Sequence, residues 1–143
     1  MKIAGYTISE TLFRTDRVTI HVAVRDRDGA DVAIKTLAGA HPTRGQIDEL
    51  RREFQLTRRL ADIPRVIRID ELVTFDGGNV GIVMEHFGIP LRRLIRDHGR
   101  PSLSRTLDLA IGLAQTLDAI HEMGVVHKDV TPNNILVTPD LDD

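Results

Sequence analysis

An α+β chain is expected from three features of the sequence. Residues 18–24 and 31–37 alternate at the period of two that marks strands in an antiparallel sheet. Residues 104–121 carry apolar side chains at helical spacing, with Ser104 as the expected N-cap and Gly124 as the stop. Between these halves Glu85-His86-Phe87-Gly88 is short, contains a glycine, and reads as a linker between two lobes.

Composition narrows the class. The chain has 143 residues, enough for one compact domain or part of a larger one. Charged residues make up 28% and the formal net charge is −2, which does not suit a nucleic-acid protein. The pairs Arg51-Arg52, Arg58-Arg59 and Arg92-Arg93 read as solvated helix faces. Cysteine is absent, so thiolate chemistry is excluded and a reducing, cytoplasmic setting is expected. No signal peptide is visible, and the most apolar run, residues 107–120, is broken by Asp108, Gln115 and Asp118, so no membrane span is expected.

The elements follow in order. Residues 6–13 form a plausible first strand, and Asp28-Gly29 is a hairpin-type turn between the two alternating strands. Within 31–37, Val32 and Ile34 share one face while Ala33 and Lys35 share the other. A helix is expected over 46–61, where Leu50, Phe54, Leu60 and Ala61 fall within an arc of about 120°. Glu53 falls inside that arc, whereas Asp48, Arg51, Arg52, Gln55, Arg58 and Arg59 fall outside it. A carboxylate on a buried face costs several kcal/mol unless a cation meets it. Lys35 is the nearest candidate, so a Lys35–Glu53 pair is expected from pattern alone.

Strands are expected over 66–75 and 80–84, joined by a turn at Asp76-Gly77-Gly78-Asn79, and a short helix over 91–97. The helix over 104–121 has Leu107, Ala110, Ile111, Ala114 and Leu117 on one side, and Leu109, Leu113 and Ile120 on another. Such a helix belongs in the centre of a lobe. Then comes His127-Lys128-Asp129-Val130-Thr131-Pro132-Asn133-Asn134, with Ile135-Leu136-Val137 as a short buried strand. By residue chemistry, Asp129 can accept a proton from a substrate hydroxyl, and Asn134, five residues on, can ligate a divalent metal. A capped turn between helix and strand would also accommodate these residues.

Together, Val32-Ala33-Ile34-Lys35, Glu53, Val83-Met84-Glu85, His127-Lys128-Asp129 and Asn134 resemble the protein-kinase signature in its proper order. The resemblance covers nearly the whole chain. Arg14-Thr15-Asp16-Arg17, Gln55-Leu56-Thr57-Arg58 and His127-Lys128-Asp129 are similar to one bacterial group. In that group a serine/threonine kinase domain heads a large protein with an ATPase module, a GAF domain and a sensor histidine kinase.

What the resemblance implies can be written residue by residue. Residues 1–85 would be a kinase N-lobe, an antiparallel sheet with one helix; residues 86–143 would be the hinge, the start of a helical C-lobe and the catalytic loop. Lys35 would hold the α- and β-phosphates of ATP and Glu53 would hold Lys35. Met84 resembles a gatekeeper, with backbone groups of Glu85 and Phe87 at the adenine edge, Ile20 and Ala33 above adenine and Leu136 below. Asp129 would orient the hydroxyl of a protein substrate and Asn134 would bind Mg²⁺. Other domains of a multidomain signalling protein are the implied partners.

Three departures from the signature stand out. Phe13, Thr15 and Val18 occupy the positions of the phosphate-loop glycines, where Arg14 or Arg17 would supply charge or sit exposed in a turn. Thr131 stands where most serine/threonine kinases carry a lysine, and Lys128 replaces the usual arginine; lysine cannot grip a phosphorylated activation loop in bidentate fashion. The chain ends at Asp143 without an Asp-Phe-Gly, and Asp140, Asp142 and Asp143 come too soon to serve as one. The expectation is therefore a fragment of a kinase domain, inactive alone and prone to self-association. The alternatives are a non-catalytic, pseudokinase-like module that binds nucleotide or a partner, and, more distantly, a small-molecule phosphotransferase.

Overall fold

The computed structural model describes residues 1–39 and 41–138. The aspartates at 140, 142 and 143 lie outside the described residues. The chain divides into two compact units, one of Met1–Ala61 with Ile67–His86, the other of Asp62–Val66 with the chain from Phe87 onward.

The first unit is a five-stranded antiparallel sheet with one helix. Its strands are β1 (Tyr6–Arg14), β2 (Val18–Arg25), β3 (Asp31–Leu37), β4 (Ile69–Phe75) and β5 (Asn79–Glu85), ordered β1-β2-β3-β5-β4. Helix α1 (Arg44–Arg59) lies between β3 and β4 in sequence. Because side chains alternate across each strand, two separate cores form. On one face Val32, Ile34, Ala23 and Val83 pack with Ile3 and Tyr6. On the other, Val80, Ile82 and Ile69 pack with Leu50 of α1, joined by the half-buried Ile47 and Phe54.

The sheet curls strongly. The Tyr6 hydroxyl on edge strand β1 donates to Glu71 Oε1 on the opposite edge strand β4 at 2.5 Å. Register breaks in β1 between Ile8 and Glu10 and between Thr11 and Phe13, and in β4 between Ile69 and Glu71, add local twist. Burial, reinforced by the Glu71 carboxylate, pushes the Tyr6 phenol up to about 12.

Helix α1 begins with a reciprocal cap. Thr43 Oγ1 accepts the Gln46 amide at 3.3 Å, and Gln46 Oε1 accepts the Thr43 amide at 2.8 Å. This box starts the helix at Arg44, two residues before the apolar periodicity announces it. Its buried face is narrower than expected: Ala61 is exposed, and of the arc only Leu50 and the capping Leu60 are buried. The turn between β2 and β3 is also longer than a two-residue hairpin. Arg25 N–H donates to Ala30 O, closing a loop over 26–29 with Gly29 at φ +70°.

Strand β4 starts at Ile69, three residues later than the apolar run suggested. Arg65 takes a left-handed φ of 67° and the Val66 amide donates back to Ile63 O. The chain is therefore still in a turn at residue 66.

The second unit contains β6 (Ile89–Pro90), α2 (Leu91–His98), α3 (Leu103–Glu122) and β7 (Leu136–Val137), with β6 and β7 paired antiparallel. The cap of α3 is Ser102, whose hydroxyl accepts the Arg105 amide at 3.2 Å, and not Ser104, which stands inside the first turn. Gly124, at φ +73°, donates its amide to His121 O and ends the helix. One side of α3 buries Gly112, Thr116 and Ile120. Arg65 lies across Gly112, and the Thr116 hydroxyl contacts Pro64 O at 3.4 Å, so the 62–66 segment packs on this side. Helix α3, apolar on nearly all sides, is only partly covered among the described residues, as expected for this chain: Leu103, Leu107 and Ile111 are exposed.

Candidate functional site

Ile20, Ala33, Lys35 and Met84 come from three strands and share one face. The register pairs Ile20 with Lys35 across β2 and β3, and Ala33 with Met84 across β3 and β5. Lys35 is also opposite Ile82, which packs against Leu50, so the lysine stands on the face covered by α1. Its Nζ meets Glu53 Oε1 at 2.6 Å. The expected pair forms, but for a different reason from the one its pattern suggested. The Glu53 side chain is 45% exposed, so it sits at the margin of the helix face and is not a buried charge demanding compensation. Glu85 ends β5, where its carboxylate accepts the Arg68 amide at 2.7 Å.

The β1–β2 turn holds a feature that sequence reading missed. Thr15 Oγ1 accepts the amides of Arg17 at 3.2 Å and Val18 at 3.0 Å, while Thr15 N–H donates to Val18 O. A hydroxyl two residues ahead of free amides was the available signal. Two backbone donors that a glycine loop would turn outward are here consumed by the turn itself. Arg14 and Arg17 are exposed beside it.

In the second unit the loop after α3 folds back on itself. Asn134 Nδ2 donates to Asp129 Oδ2 at 2.8 Å and to Asp129 O at 2.9 Å. The Asp129 amide donates to His127 Nδ1 at 3.2 Å, and Lys128 between them takes a φ of 65°. The Asn134 amide closes a turn to Thr131 O. The loop is laced to the start of α2, because Leu91 N–H donates to Ile135 O at 2.8 Å and Arg92 N–H to Pro132 O at 3.0 Å. Helix α2 has Pro90 at its N-cap and no side-chain cap, so these loop carbonyls replace one.

The donor set suits a hard cation. With its nitrogen spent on Asp129, Asn134 presents its carbonyl oxygen, the ligand type magnesium prefers. Among the described residues no group of three or more His, Cys, Asp or Glu side chains gathers to hold a metal. Phe87 and Leu136 both stand exposed in this unit, and Val137 is buried. The strand over 135–137 is therefore only partly buried.

Residues 15–142 match the protein kinase domain model, and the chain belongs to the protein kinase family. It is 32% identical over 136 residues to serine/threonine-protein kinase PknK of Mycobacterium tuberculosis, covering 94% of this chain and 12% of that protein. It is 33% identical over 118 residues to the human MAPK/MAK/MRK overlapping kinase, covering 80% of this chain and 28% of that protein. The chain thus spans less than a third of the length of either relative. A crystal structure of Rad53 1-466 in complex with AMP-PNP superposes with a TM-score of 0.78 at 24% identity, over 95% of this chain and 35% of that one, which establishes the shared fold.

Proposed function

We propose that this chain carries the nucleotide-handling and proton-accepting groups of a serine/threonine protein kinase. Lys35, held by Glu53, binds the α- and β-phosphates of ATP. Ile20, Ala33 and Met84 of the first unit are assigned to adenine, as is Leu136 of the second, with backbone groups of Glu85 and Phe87 assigned to its edge. Asp129 accepts the proton of the attacking serine or threonine hydroxyl on a protein substrate. Bound Mg²⁺, held by Asn134 and the phosphates, would neutralise charge that develops on the transferred group. The other domains of a larger, cytoplasmic signalling protein are its proposed partners.

The observation that carries this reading is the occurrence of two matched pairs in one chain. Lys35 is oriented by Glu53, and Asp129 is oriented by Asn134. An interaction module needs neither. A second reading, a non-catalytic nucleotide- or partner-binding module, is favoured by the Thr15 turn, which withholds two amides from any phosphate.

Transfer of labelled γ-phosphate to a protein substrate separates them, measured in a longer protein that contains this chain. Transfer is expected to fall about 10²- to 10⁴-fold in Asp129→Asn, the usual contribution of a positioned acid–base group. Wild-type transfer no higher than that of Asp129→Asn, with saturable Mg-ATP binding retained, would assign the second reading.

A further inference from the structure

Resting on the adenine role proposed above for Phe87 and Leu136, we infer that Gly88 is a positioning residue that sets the separation of the Phe87 backbone from the Leu136 side chain. Gly88 has a φ of +52°, in the left-handed region. A Cβ built on it would lie 2.3 Å from Val137 O and 2.8 Å from Val137 C. Both are backbone atoms of β7, and no rotamer change can move them aside. Reaching an ordinary C···O separation of about 3.3 Å requires a backbone shift of about 1 Å.

The ladder that resists such a shift is short. The β6–β7 ladder pairs only Ile89 with Val137 and Pro90 with Leu136, and proline has no N–H to contribute. Further ties run from Leu91 to Ile135 and from Arg92 to Pro132, on either side of Asn134, and from the Arg105 guanidinium to Thr138 O at 2.8 Å. Phe87 immediately precedes Gly88, and Leu136 immediately precedes Val137. A side chain at position 88 therefore wedges apart the two residues assigned to adenine and pulls on the loop that holds Asn134. Gly124 is the internal contrast. It is equally left-handed, at φ +73°, yet a Cβ there meets nothing within 4 Å.

Calorimetric titration of the chain with Mg-ATP, adenosine and inorganic tripolyphosphate tests the inference. Gly88→Ala is expected to weaken ATP and adenosine in the same proportion, by about tenfold or more, with tripolyphosphate changed less than about twofold. Gly124→Ala should lose thermal stability without a change in ATP affinity. Leu136→Ala, which leaves the backbone alone, should also weaken adenosine selectively. A Gly88→Ala chain that binds ATP as the wild type does, or that weakens ATP and tripolyphosphate together, overturns the inference while leaving the adenine reading intact. So does loss of cooperative unfolding in Gly88→Ala when Gly124→Ala keeps it. Unchanged adenosine binding in Leu136→Ala overturns the adenine role of Leu136 and this inference with it. Wild-type chain that binds no ATP overturns the adenine reading and this inference with it.

Discussion

Lys35 and Asp129 are held in place by opposite means. Lys35 stands on the central part of a five-stranded sheet, with the adjacent Ile34 and Val83 at 0% exposure and its cross-strand partner Ile82 at 2%. Its position is a by-product of packing, and among the described residues its side chain's one polar tie is a single carboxylate. Asp129 stands in a stretch without regular secondary structure, flanked by the exposed Val126 and Val130. Its position depends on directed hydrogen bonds from Asn134, to His127, and from the amides of α2 to the carbonyls around it. A group placed by packing tolerates loss of its polar partner but not of its apolar neighbours. A group placed by hydrogen bonds behaves the other way.

The largest expected effect comes from truncating one apolar side chain on each side of this contrast. Ile34→Ala leaves a cavity in a dense core and should cost about 2–5 kcal/mol. Val130→Ala removes an exposed side chain and should stay within about 0.5 kcal/mol. Urea unfolding measures both, and equal costs would break the comparison.

A smaller effect is expected from Lys35→Met. The pair is half open to water on the Glu53 side, so stability should change by less than about 1 kcal/mol. ATP affinity should fall about 10- to 100-fold, as expected from losing a charge-assisted bond to phosphate. A stability loss as large as that of Ile34→Ala would show that the ion pair supports the sheet after all.

The smallest effect lies on the face of the sheet opposite α1. His21 is 8% exposed, with Nδ1 3.2 Å from Thr11 Oγ1 and Nε2 3.4 Å from Thr36 Oγ1. Burial, and then the nearby Arg14, hold its imidazole below the usual histidine range. The unfolded chain therefore binds this proton more readily than the folded one. The contribution to stability is complete above about pH 6.5, declines as pH drops below that, and is lost once pH passes below the folded-state value. Comparing wild type with His21→Gln between pH 7 and 5 should remove a slope of at most about 1.4 kcal/mol per pH unit. An unchanged slope would show that His21 titrates as it does in the unfolded chain.

Legibility in the sequence followed the same division. The strands of the first unit were readable because burial imposes a period of two, and Lys35 and Glu53 were readable as charges that violate an apolar pattern. The register then placed Ile20, Ala33 and Met84 on the lysine's face without further assumption. Asp129 and Asn134 were readable as residue types, but not the two bonds between them, because loop geometry has no periodic trace. Strand β6 was invisible for a related reason: two residues, one of them proline, become a strand only when β7 lies beside them. Ser102 was passed over because Leu103, 76% exposed, separates it from the apolar stripe that signals the helix. The Thr15 turn went unread because its content is which amides one hydroxyl takes.

The place of β5 has a consequence for how the molecule comes to exist. It is the last of the five strands in sequence, yet it lies between β3 and β4. Until residues 79–85 leave the ribosome, β3 and β4 each present a bare edge of unpaired amides and carbonyls beside an apolar face. Such edges recruit other chains. Pairing β3 with β5 must also close a long loop containing α1 and β4, a step whose entropic cost precedes its reward. A nascent chain halted before Asn79 is thus a substrate for chaperones or for its own neighbours. Seven more residues remove both edges together.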